Sequence, residues 1–273
     1  MNLAERQSKI VEMVMDQGAV TIADICQAFG VSDMTARRDL NELDRRGLLR
    51  RVHGGAVANF GRSYEPPFTT RATKQQEAKV LIGRRAAELI YDGDSVALDV
   101  GTTTLEIVPG LVGKKNLTIV TSCLQIANRV VDLLSLEVDA RLILAGGIVR
   151  PRELSLIGAL AENTYRDLHV DKAFLGIGGI SLEDGLTEYN FEDAQIKKIL
   201  IASAKETIVV ADGSKFGVTT FAGVAPLETV DMVVTDPSAP DAMLDRIRRI
   251  GVEVIVAGEN HNTNAAVMGG DGR

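Results

Sequence analysis

Three observations predict an α/β chain in two parts: a small winged helix-turn-helix domain, then a larger α/β domain with a mostly parallel sheet. Residues 3–56 carry the order helix, helix, Gly-containing turn, helix, short strand. From Ser95 onward, short apolar runs alternate with helical patterns. The arginines crowd into one stretch of the first part, while the excess negative charge lies in the second.

In the first part, Leu3, Ile10, Met13 and Val14 give residues 3–16 a helical spacing that Gly18 breaks. Val20 and Ile22 make a short link, and Thr21 is placed to cap a second helix running through Phe29. Gly30 and Val31 turn the chain into a third helix with Ser32 as its N-cap. Ala36, Leu40 and Leu43 fall on one face of that helix. Thr35, Arg37, Arg38, Asn41 and Arg45 project elsewhere, and Gly47 stops the helix. A short strand over 48–52 follows with Arg50 and Arg51, and His53-Gly54-Gly55 suggests a wing. A helix anchored on one side and offering Thr and Arg on the other is what the major groove of double-stranded DNA admits and reads. Thr35, Arg37 and Arg38 are expected nearest base edges. Ser32, Arg50, Arg51 and His53 are expected at phosphates, with Asn41 and Arg45 completing the face.

The net charge of −7 is compatible with this reading once it is divided. Residues 1–56 carry eight basic and eight acidic side chains, so the whole excess belongs to the remainder. Local field, not total charge, governs attraction to phosphates. Composition is that of a soluble globular protein, at 45% apolar and 25% charged residues. No run of apolar residues is long enough for a membrane span, and the N-terminus lacks the apolar core of a secretory signal. A cytoplasmic location is therefore expected, with Cys26 and Cys123 as free thiols. No Cys/His cluster has metal-ligand spacing, and neither metal nor cofactor is expected.

Residues 58–74, with Gly61, Pro66 and Pro67, read as a linker, and a helix follows over 74–90 with Val80, Leu81 and Ile82 among its apolar positions. Strands are expected at 95–99, 117–121, 141–145, 172–177, 207–211, 230–234 and 252–257, with helices at 103–112, 123–134, 156–167, 192–204 and 240–249. Domain bounds are thus 1–57 and 75–258, with a disordered tail at 259–273. Ligands in such sheets bind beyond the carboxyl ends of the strands. Those ends supply Asp99, Gly101, Thr102, Thr103 and Thr104, then Thr121 and Ser122, then Gly146, Gly147 and Arg150, then Gly176 and Gly178, then Asp212 and Lys215. Cations and N–H groups suit a phosphate and carboxylates suit hydroxyls, so the inventory fits a small phosphorylated sugar or polyol.

The blocks VSDMTARRDLNEL, GLLRRVHGGA, GTTT and DGSKFG resemble the DeoR family of bacterial transcription regulators, over about residues 5–236. Cys26 and Ala36 depart from it, standing where the family has larger aliphatic residues. The resemblance implies a Rossmann-like sensor domain of the ribose-5-phosphate isomerase type that responds to phosphorylated sugars. It also implies repression of a sugar or polyol catabolic operon. Asp99, Gly101, Thr102, Thr103, Thr104, Asp212 and Lys215 would take the family's sensing roles; Ser122 replaces a frequent asparagine. A homo-oligomer is expected, because one such unit reads few base pairs. Two rival readings are a sugar-phosphate isomerase and a ligand-independent DNA-binding protein. The isomerases of this fold carry an acidic pair after the strand at 172–177, where this chain has only Gly176-Ile177-Gly178-Gly179.

Overall fold

The computed structural model describes residues 2–58, 61–134 and 139–258. The expected tail at 259–273 lies outside the described residues. Helix α1 (Leu3–Gln17) starts in a capping box: the Asn2 side chain accepts from the Glu5 N–H, and Glu5 accepts from the Asn2 N–H. Strand β1 (Ala19–Thr21) leads into α2 (Ile22–Phe29), capped by a second box of Thr21 and Asp24. Gly30 closes α2 at φ 63°, a left-handed conformation that suits glycine. Helix α3 (Asp33–Arg45) begins at Ser32, whose Oγ accepts from the Thr35 N–H. Strands β2 (Arg50–Val52) and β3 (Gly55–Val57) form the wing hairpin, and β1 adds to β3. Gly55 is obligatory there, since a Cβ would lie 2.1 Å from the Val20 carbonyl oxygen. Ile10, Val14, Val20, Ile25, Ala36, Leu40, Leu43 and Leu49 make the core of this unit. Leu3, read as part of the apolar face, is 57% exposed because it precedes the turn that packs.

Residues 58–74 are not structureless: α4 (Phe68–Thr73) lies within them, with Phe68 buried. Helix α5 (Gln76–Ala87) buries Lys79, Ile82, Gly83, Ala86 and Ala87 and exposes Val80 and Leu81. Gly83 lets α5 approach the next layer, since a Cβ would lie 2.4 Å from the Glu106 backbone. Next come β4 (Ser95–Leu98), α6 (Thr102–Leu105), β5 (Leu117–Thr121), α7 (Leu124–Leu134) and β6 (Ala140–Leu144). A hairpin of β7 (Ile148–Arg150) and β8 (Ser155–Ile157) precedes α8 (Ala159–Arg166) and β9 (Val170–Leu175). The remainder is β10 (Gly179–Ser181), β11 (Gly185–Glu188), α9 (Phe191–Ser203), β12 (Ala204–Val210), β13 (Ala222–Ala225), β14 (Met232–Thr235), α10 (Asp241–Arg249) and β15 (Glu253–Val256).

The main sheet has the order β15-β14-β12-β9-β4-β5-β6, with every pairing parallel. Alternate residues of each strand feed opposite cores. Ala97, Ala173, Leu175 and Val209 pack with α8, α9 and α10, while Val96, Leu98, Phe174 and Ile208 pack with α5 and α7. From β4 the strands step outward in one direction, and from β9 in the other. The β4–β9 seam is therefore the topological switch point. All seven main strands match the alternation read from the sequence. The β7–β8 hairpin and the β10-β11-β13 sheet do not, because each is too short to show a period.

Candidate functional site

Helix α3 presents the residues expected to face DNA. Arg38 and Asn41 are exposed and, among the described residues, carry no hydrogen-bond or ion-pair partner. Arg37 pairs with Asp33 at 2.5 Å, and Arg45 pairs with Glu42; both pairs are solvent-exposed and therefore weak. Thr35 is half-buried, its hydroxyl 3.0 Å from Ser32 Oγ. On the inner side, Asp39 accepts from Arg6 at 2.6 Å and fixes α3 against α1. Arg50 is exposed on β2, and His53 is exposed in the two-residue turn of the wing. Arg51 is half-buried, and its backbone N–H donates to Asp44 Oδ1 at 2.9 Å.

The second site is a cavity of about 210 Å³ at the β4–β9 switch point. Gly101 and Gly176, which follow the two strands, lie side by side; a Cβ on Gly101 would meet Thr104 Oγ1 at 2.7 Å, and one on Gly176 the Val100 carbonyl oxygen at 3.2 Å. Thr102, Thr103, Asp212 and Lys215 join them in the lining, as the sequence reading expected. Asp212 is buried, and its Oδ1 accepts from the Ser214 N–H at 3.0 Å, shaping the turn that delivers Lys215. Lys215 Nζ sits 5.6 Å from the centroid of the Tyr189 ring.

Sequence reasoning missed most of the lining. Lys79 on the buried face of α5 donates to the carbonyl oxygens of Arg71 and Lys74, the latter at 2.6 Å. Burial lowers its ammonium pKa to about 8, with Lys215 and Arg71 acting in the same direction against Asp212. Lys74 stands nearby, its pKa also lowered by partial burial and by Lys215. Glu188, at the end of β11, and Asp193, on α9, form an acidic group with Asp99 beneath, and Lys197 of α9 is its cation. Lys197 Nζ pairs with Asp99 Oδ2 and lies 3.3 Å from Glu188 Oε2, all three side chains being buried. Burial pushes the Asp99 carboxyl up to about 6 against the pull of Lys197, and pushes Glu188 up as well. The surrounding carboxylates, Asp99 first, raise the Lys197 pKa in spite of its burial. The one available signal was the four-residue spacing of Asp193 and Lys197, which puts both on one helix face.

Other expected residues lie outside the lining. Thr104 Oγ1 donates to the Gly101 carbonyl and Thr121 Oγ1 to the Leu98 carbonyl, so both brace the backbone. Ser122 Oγ is buried beside the Tyr165 hydroxyl. Gly146 and Gly147 open the β7–β8 hairpin, where Gly147 faces the Ile157 backbone. Gly178 packs against Glu188. Arg150 is turned into a network: it pairs with Asp193 and with Glu65 at 3.1 Å, while Arg71 pairs with Glu65 and Glu153, each at 2.8 Å. Glu65 and Arg71 line the cavity, so the connecting segment forms one of its walls. No group of three or more His, Cys, Asp and Glu among the described residues could hold a metal ion. No helix among them is long and apolar enough to cross a membrane.

An exposed, arginine-bearing third helix with a wing, joined to a parallel α/β domain with a polar cavity at its switch point, defines a DNA-binding regulator with a sensor domain. Residues 6–60 match the DeoR-like helix-turn-helix domain, and residues 74–237 match the DeoR C terminal sensor domain. The chain belongs to the DeoR family and is a transcriptional repressor. It is 34% identical to the glycerol-3-phosphate regulon repressor of Escherichia coli (strain K12), over 89% of this chain and 95% of that one. It is also 34% identical to the transcriptional repressor GlcR of Bacillus subtilis (strain 168), over 92% and 95%. Among solved structures, ribose 5-phosphate isomerase A from Neisseria gonorrhoeae superposes with a TM-score of 0.38 at 14% identity, over 54% of this chain and 56% of that one.

Proposed function

We propose that this repressor controls a sugar or polyol catabolic operon and leaves its operator when a phosphorylated sugar or polyol occupies the switch-point cavity. The observation that carries this reading is the division of the cavity's charges into two groups. Lys74, Lys79 and Lys215 supply cations for a phosphate, with Gly101, Thr102 and Thr103 beside them. Glu188 and Asp193 supply acceptors for hydroxyl groups, and the Lys197 ammonium beside Glu188 opposes part of the cost of burying its carboxylate. Regulon repressors of phosphorylated compounds among the relatives support the same ligand class.

On DNA, Thr35, Arg37 and Arg38 read base edges in the major groove, with Asn41 and Arg45 on the same face. Ser32, Arg50, Arg51 and His53 hold phosphates. Two or more copies act together in the cytoplasm, because one unit spans a single half-site. Binding of the purified protein to its own upstream DNA, at fixed salt and across a panel of sugar and polyol phosphates, tests the reading. Loss of binding with one compound is expected; unchanged binding with every compound overturns the effector assignment and leaves the DNA-binding part intact.

A further inference from the structure

Helix α1 carries no basic residue in its last turn, so the carbonyl groups at its negative end need partners from elsewhere. The connecting segment supplies two. Tyr64 Oη donates to the Met15 carbonyl at 2.9 Å, and Lys74 Nζ donates to the Gln17 carbonyl at 2.5 Å. Gly18 takes φ 77° to end the helix, and a Cβ there would lie 3.6 Å from that same ammonium. Lys74 also lines the sensor cavity, and its backbone carbonyl is held by Lys79. One side chain thus belongs to two sites: it caps a helix of the DNA-binding domain and stands at the edge of a cationic cavity.

We propose that Lys74 is the coupling residue of this repressor: an anion in the cavity draws its ammonium off the Gln17 carbonyl, uncaps α1 and frees the DNA-binding domain from the sensor domain. This rests on the cavity being an anion site. The exchange is favourable because a charged acceptor binds an ammonium more strongly than a neutral carbonyl does. Lys74 faces the like charge of Lys215, and an anion between them removes that repulsion. An effect on DNA affinity requires that the anion favour one of the two arrangements, and loss of the cap is that difference.

The Gln17 carbonyl belongs to the same peptide unit as the Gly18 N–H, so the Gly18 amide signal reports the cap directly. Gly101 lines the cavity, so its amide reports occupancy. The experiment is a titration of the full chain, labelled with 15N-glycine, with inorganic phosphate. In the native protein the Gly101 and Gly18 signals are expected to move together with one midpoint. In Lys74→Gln the Gly18 signal is expected to sit near the phosphate-saturated native position from the start and to stay there, while Gly101 still moves at several-fold higher phosphate. Lys215→Ala keeps the cap, so its Gly18 signal starts at the native free position. Operator affinities with and without inorganic phosphate, 5–150-fold apart for a typical allosteric coupling, converge in Lys74→Gln. Movement of Gly101 without Gly18 in the native protein, or a phosphate response of Gly18 in Lys74→Gln, overturns the coupling role alone. An unmoved Gly101 overturns the anion site and the coupling role with it.

Discussion

Lys197 and Asp99, 98 residues apart in sequence, meet as a buried pair beneath the sensor cavity. The helix α9 supplies the ammonium, and the end of β4 supplies the carboxylate. Neither charge has water to fall back on.

Lys197→Met strands Asp99 and Glu188 without their cation. Breaking one side of a buried pair costs about 3–5 kcal/mol. Urea unfolding is expected to show a loss of that size, and the double variant Asp99→Asn/Lys197→Met less than the sum of the single losses. A single-variant loss below about 1 kcal/mol would falsify the structural role of the pair.

Arg38 is exposed and, among the described residues, has no hydrogen-bond or ion-pair partner, so under the proposed reading it can meet a base edge without first leaving one. Arg38→Ala is expected to weaken operator binding by about 1–3 kcal/mol and to relax the preferred sequence at one position. Equal weakening on random DNA makes Arg38 a phosphate contact instead.

Arg50 lies on the wing strand β2 and not on α3. Arg50→Ala is expected to weaken binding evenly across sequences and to reduce the slope of log affinity against log salt by about 1. A change in sequence preference places Arg50 at a base.

Lys79 gives the sensor a pH dependence. Its pKa is lowered to about 8, so its ammonium is charged at pH 7 and neutral at pH 9. An anion favours the charged form, while a phosphate ester, with its second ionisation near pH 6, stays a dianion throughout. Affinity for the effector found in the metabolite screen is therefore expected to fall by about tenfold from pH 7 to pH 9, as measured by calorimetry. Lys79→Met flattens the profile; a steep profile that survives this change assigns the titration to another group.

The DNA-binding domain was legible because its signals are local. Ser32, Thr21 and Gly30 declare helix ends within a few residues of where they act. The seven main strands were legible from alternation, and the rule that ligands sit at strand ends pointed to Gly101, Thr102, Thr103, Gly176, Asp212 and Lys215, but the β4–β9 switch point needs the strand order, which no local signal carries. The acidic half of the cavity was not. Glu188 reaches it from a short side sheet and Lys197 from the middle of a helix, positions that only the tertiary fold brings to Asp99. Arg150 shows the converse: its place after a strand pointed to the ligand, but Glu65 and Asp193 claim it. Lys74 and Lys79 sat at a stretch read as linker and helix start, where a solvated charge is the ordinary expectation.

The connecting segment is bound down at several of its described residues. Phe68 is buried and donates its N–H to the Arg152 carbonyl, and Glu65 and Arg71 are locked into the ion-pair network. A tether of free Gly and Ser would let two reading heads of an oligomer adjust to whatever DNA they met. In the proposed oligomer this docked strap removes that slack, so the separation of the heads is set by the protein. Operators with base pairs inserted between their half-sites are then discriminated by geometry, even where every contacted base is correct.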